Sequence, residues 1–100
     1  MAEVTPGTGE ADEGAVVAAF AREGLTPHLW SNGPGDLYAP HAHEYHKVLY
    51  CLRGSIVFRL ADGTEVALRR GDRLDLEPGT RHSAVVGPDG VECIEAPRRA

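Results

Sequence analysis

From Leu25 onward the chain is a succession of short apolar or alternating runs, each closed by a turn signal. That pattern is best satisfied by an antiparallel sandwich or barrel. The runs fall at residues 28–30, 47–52, 55–60, 65–69, 73–76, 82–86 and 91–96. Between them lie Ser31-Asn32-Gly33-Pro34-Gly35, Asp62-Gly63, Gly71-Asp72, Pro78-Gly79 and Pro88-Asp89-Gly90. Asp-Gly is a hairpin pair that needs positive φ, and the other clusters are ordinary turn chemistry. A chain of 100 residues makes one domain. The segment before the strands is different. In GAVVAAFARE, Val16, Val17, Phe20 and Ala21 share one helical face and Gly24 is a stop, which predicts a short helix over 14–24. So short a helix is marginal alone and must pack on something. Residues 1–13 are polar and acidic and are expected to form a loose tail, which leaves 25–100 for the barrel.

The charge balance narrows the partners. Fifteen acidic side chains against ten basic ones leave a net charge of −5. Nucleic acid and anionic membrane surfaces both call for a basic face, so neither is expected. No apolar run approaches the roughly 20 residues that span a bilayer. The acidic N-terminus does not read as a secretory leader. Two cysteines, Cys51 and Cys93, do not make a disulfide framework. The expectation is a cytoplasmic protein with reduced thiols and a small-molecule partner.

Five histidines occur, and three crowd into PHAHEYHK. Residues two apart in a strand point to the same face, so His41 and His43 aim at a shared point if this stretch is extended. Pro40 favours extended backbone at Ala39. Two imidazoles on one face are half of a metal site, and the remaining ligands must come from elsewhere in the fold.

At these residues the chain resembles the cupin family. The family's first motif runs glycine, five residues, His-x-His, three or four residues, glutamate, six residues, glycine. Gly35, His41, His43, Lys47 and Gly54 fall at those intervals, with lysine in place of the glutamate. In the second motif Gly71, Gly79 and His82 fit in register, while Glu77 replaces the usual proline and Val86 the usual asparagine. The resemblance covers about residues 26–96 and implies an all-β fold, a small cupin β-barrel of jelly-roll type, here with one N-terminal helix. It implies that His41, His43 and His82 face the lumen and bind a divalent transition metal: iron, manganese, nickel, zinc or copper. It also implies a homodimer, which would cover an unpaired sheet edge. Gly54 and Gly71 are expected at tight connections between strands, and Gly79 where the chain turns to present His82.

Lys47 is the informative departure. In the family the glutamate is a fourth, anionic ligand, whereas an ammonium repels a divalent cation. At about 4 Å and an effective dielectric near 20, each unit of charge product costs on the order of 4 kcal/mol. Three arrangements stay open. Three neutral histidines hold the metal while Lys47 turns to a carboxylate such as Asp36, Asp75 or Glu77. Alternatively His46 swings in through a bulge as fourth ligand. In the third, the metal is weak or absent, and histidines and lysine together suit an anionic small molecule.

Trp30, Tyr38 and Tyr50 are candidates, with Lys47, for the wall of a ligand pocket. His28 is expected at the surface, and Cys51, in phase with Lys47 and Leu49, as inward packing. Two functions follow from the resemblance. One is a metal-dependent enzyme, dioxygenase- or isomerase-like, acting on a small anionic molecule steered by Lys47, with Tyr38 or Tyr50 handling protons. The other is a non-catalytic module that binds or senses a small ligand or a metal. The fold alone does not choose between them.

Overall fold

The computed structural model of the protein describes residues 2–7 and 12–98. Seven strands and one helix follow in the order β1 (Ala2–Thr5), α1 (Glu13–Arg22), β2 (His28–Asn32), β3 (Leu37–His41), β4 (His46–Leu60), β5 (Glu65–Arg69), β6 (Arg73–Leu76) and β7 (His82–Arg98). All pairings are antiparallel.

Two long strands organise everything. β4 and β7 pair along nearly their whole length, and each serves two layers. The first half of β4 is flanked by β6 and its second half by β5. The first half of β7 is flanked by β3 and its second half by β2. The expected runs 47–52 and 55–60 are therefore one strand, as are 82–86 and 91–96. The punctuating residues bend these strands without ending their pairing: the register shifts between Cys51 and Arg53 and again between Gly54 and Ile56. Gly54 is thus a mid-strand bend and not a connection between strands. Its φ is +72°, and a Cβ there would overlap the Gly90 carbonyl oxygen and lie 3.1 Å from Val91 Cα. Gly63, φ +90°, occupies the expected hairpin turn between β4 and β5.

The bend folds the sheet over a core that draws on both layers. Leu49, Cys51, Leu74, Leu76 and Cys93 meet Ile56, Phe58, Leu68, Ala84 and Val86. A second apolar cluster lies on the other face of β4. There Val16 and Phe20 of α1 pack on Val48, Leu52, Ile94 and Ala96, with Leu25 and Tyr50 at the edge. Period-two alternation therefore sorts β4: Lys47, Leu49 and Cys51 face one way, Val48, Tyr50 and Leu52 the other. Apolar partners on both faces explain why the sequence there reads as a nearly continuous apolar run.

The helix forms about where its periodicity places it. Asp12 caps its N-terminus by accepting from the Gly14 amide at 2.8 Å, and Glu13 and Arg22 complement the helix dipole at the two ends. Glu23 ties it to the sheet through Arg73 at 2.6 Å and through Arg98.

The expected loose tail is corrected in part. Ala2–Thr5 pair with β6, Ala2 opposite Leu76 and Thr5 opposite Arg73, and the Gly7 amide donates to Asp72 at 2.8 Å. An open sheet edge offers backbone hydrogen bonds to any extended segment, whatever its apolar content, so composition was the wrong criterion. Residues 8–11 of that stretch lie outside the described residues. No helix among the described residues is long and apolar enough to cross a membrane.

Candidate metal centre

His41, His43 and His82 come together at one end of the folded sheet. His41 ends β3 and His82 begins β7, and the two stand opposite each other across that strand pair. A register irregularity between Tyr38 and His41 lets β3 carry its last residue into that position. His43 lies in the following loop, whose carbonyl accepts from the Gly79 amide at 2.8 Å. The turn before β7 thus locks the loop that carries His43. The ring centroids are 4.9 Å apart for His41 and His43, 4.5 Å for His41 and His82, and 5.5 Å for His43 and His82. One candidate ligand nitrogen from each ring lies within 4.8 Å of the other two.

The hydrogen bonds select the tautomer. Nδ1 of His41 donates to the Ala39 carbonyl at 2.8 Å, and Nδ1 of His82 donates to the Thr80 carbonyl at 2.9 Å. A carbonyl only accepts, so Nδ1 carries a proton in both rings, and the neutral form of each ring has its lone pair on Nε2. Nε2 of His43 and Nε2 of His82 are buried with no hydrogen-bond partner among the described residues. Leaving a buried polar atom unpaired costs about 1–3 kcal/mol, and two such atoms facing a shared centre fit an electrophile between them. Burial lowers the pKa of His82 most, and the charges of His41 and Lys47 lower it further against the opposing Thr80 bond. Burial likewise leads in lowering His43, helped by Lys47 and its two histidine neighbours. Both rings are therefore held as neutral donors, the form a metal requires.

Beside the histidines opens a cavity of about 430 Å³. Leu29, Trp30, Tyr38, Phe58 and Ala84 give it apolar walls, while His28, Asn32, His41, Lys47, His82 and Glu95 supply the polar groups. Trp30 and Tyr38 meet edge to face at 5.9 Å. The Tyr38 hydroxyl donates to Asn32 Oδ1, and burial first, then the nearby acidic groups, pushes its pKa up. It stays a protonated phenol at neutral pH, part of the wall and not a base.

Lys47 is buried, and its Nζ lies 3.1 Å from Glu95 Oε1. The same oxygen accepts the indole N–H of Trp30. The lysine does turn to a carboxylate, but that carboxylate is Glu95 of β7 and not Asp36, Asp75 or Glu77. Strand pairing decides this, because Leu49 stands opposite Glu95 and Lys47 is one inward position away. Glu95 was legible in outline: it continues the inward phase of Val91 and Cys93. His46 does not join the histidine group. It falls on the other phase of β4, and its Nε2 is 2.8 Å from Asp75 Oδ1. Tyr50 also leaves the expected pocket. It packs edge to face on Phe20 at 5.3 Å, and its hydroxyl accepts from Arg73. His28 is exposed as expected but stands on the cavity rim.

The family profile of the cupin domain matches residues 28–94. The chain belongs to the cupin family. Solved cupin-like structures resemble it over most of its length. A DUF861 family protein from Thermotoga maritima is 15% identical, with 95% of this chain and 97% of that one covered at a TM-score of 0.67. An RmlC-like cupin from Shewanella frigidimarina is 28% identical, covering 75% of this chain and 68% of that one at 0.63. A structure from a study of DMSP lyases is 21% identical, covering 76% and 39% at 0.69. No curated protein matches the sequence. Within this cupin, the three histidines that the spacing singled out stand near one another, with His41 and His82 on the wall of the cavity.

Proposed function

We propose that this cupin holds a divalent transition metal ion on His41, His43 and His82 and uses it to bind a small anionic organic molecule in the adjoining cavity. The pair of buried, partnerless Nε2 atoms on His43 and His82 carries the reading. An all-imidazole donor set suits iron, manganese, nickel, zinc and copper alike. When bound, such an ion supplies Lewis acidity and open coordination positions.

The chain's own residues set the ligand's character. Three neutral rings add no charge, and the Lys47–Glu95 pair is neutral in sum. The ion would keep its double positive charge, so a compensating anion must arrive with the ligand. Trp30, Tyr38, Phe58 and Leu29 then receive the ligand's apolar body and exclude water from it. Lys47 and Glu95, both on the cavity wall, are already engaged with each other. That favours a site that binds and polarises its ligand over one that relies on a free side-chain acid or base.

The test is the metal content of protein purified without metal supplementation and of protein reconstituted afterwards, in the wild type and in His41→Ala and His43→Ala. About one equivalent in the wild type, lost in both variants with the fold intact by circular dichroism, is expected. A wild type that takes up no metal even on reconstitution would overturn the proposal.

A further inference from the structure

Glu95 has no part in the three-histidine group, yet it is the cavity's only acidic wall residue among the described residues. We infer that Glu95 is what makes this site compatible with a divalent cation: it cancels the charge of Lys47 without itself becoming a ligand. The inference rests on the metal reading above and assigns the missing acidic function to a different strand.

Three observations meet on this residue. First, Lys47 stands where the family pattern has its acidic ligand, and its side chain is only 9% exposed. Its ammonium therefore cannot escape to solvent and faces the site with little screening. Second, Glu95 Oε1 accepts both the Lys47 ammonium at 3.1 Å and the Trp30 indole N–H. Two donors on one oxygen fix the carboxylate on the wall, engaged with Lys47 and Trp30 and outside the histidine group. Third, the two partners come from paired strands, one from each of the long strands that build the cavity. A cation carried by β4 is neutralised from β7, so the acidic function is transposed across the ladder and converted from ligation to charge compensation.

A charge-compensating residue and a ligand behave differently in a double-mutant cycle. Affinity for Zn²⁺ is measured by competition with a chromophoric chelator in wild type, Glu95→Gln, Lys47→Met and the double variant, all checked for folding by circular dichroism. Glu95→Gln leaves an uncompensated ammonium and weakens binding by about tenfold or more. Lys47→Met leaves an uncompensated carboxylate and tightens it by a similar factor. The double variant is neutral again and returns close to wild type. If the double variant stays as weak as Glu95→Gln, Glu95 is a ligand and the inference is wrong. If folded Glu95→Gln binds as tightly as wild type, the pair is structural only and the inference is equally wrong. A wild type that binds no metal defeats the underlying proposal, and this inference falls with it.

Discussion

Gly54→Ala tests the geometry on which the cavity depends. Residue 54 has φ +72°, a region that costs an L-residue about 1–2 kcal/mol. The added methyl would also overlap the Gly90 carbonyl oxygen, with the carbonyl carbon 2.8 Å away. Both neighbours are backbone of the paired strand β7, so no side chain can rotate aside. Overpacking of this kind costs about 1–3 kcal/mol. Together the two effects come to about 2–5 kcal/mol, a large share of the roughly 5–15 kcal/mol that stabilises a domain. For a domain of this size that lowers Tm by roughly 10 °C or more. Gly63→Ala is the matched control: φ is +90°, but nothing lies within 4 Å of the added atom. Only the conformational part remains there, about 1–2 kcal/mol. Thermal melts and urea midpoints of the two variants separate the terms. If Gly54→Ala is no less stable than Gly63→Ala, β4 and β7 are not held in close contact at the bend. Because Lys47 lies on one side of that bend and the strand half paired with His82 on the other, Gly54→Ala should also weaken metal uptake.

Two further outcomes follow from the site. Burial, chiefly, holds His43 and His82 below the ordinary histidine pKa of about 6.5, so between those values the unfolded chain binds more protons than the folded one. The metal-free protein should therefore be fully stable above about pH 6.5 and lose stability as the pH falls through the lowered folded values. Urea midpoints at pH 7.5, 6.5 and 5.5 check this, and a midpoint that rises on acidification would contradict it. Trp30 is the chain's one tryptophan and lines the cavity, so its fluorescence reports on the site alone. Titration with Cu²⁺ should quench it with saturation near one equivalent in wild type and without saturation in His43→Ala; equal quenching in both would place the ion elsewhere.

Most of the strands (though not β1 or β3), the helix and the histidine set were legible because each is a local pattern. Alternation and turn residues mark strands, three-to-four spacing marks α1, and His41, His43 and His82 stand at motif intervals around glycines. Continuity was less legible. Glycines that look like connections can instead bend a strand whose ladder carries on, as at Gly54. Composition also misjudged Ala2–Thr5, since a sheet edge recruits backbone rather than side chains. Tyr50 could have been placed from the sequence: it alternates against Lys47, Leu49 and Cys51, so the two groups must face opposite sides of β4.

What the sequence determined by itself is the donor set and the intrusion of a cation beside it, because residue type and short-range spacing are written directly into the chain. What only the tertiary structure decided is the partner of that cation. Lys47 and Glu95 are far apart in the chain, and nothing in either neighbourhood announces the other. They meet because β4 and β7 pair with Leu49 opposite Glu95, a register set by the burial of two strands' worth of side chains. Local chemistry names the groups a site can contain, and long-range register settles which of them neutralise one another.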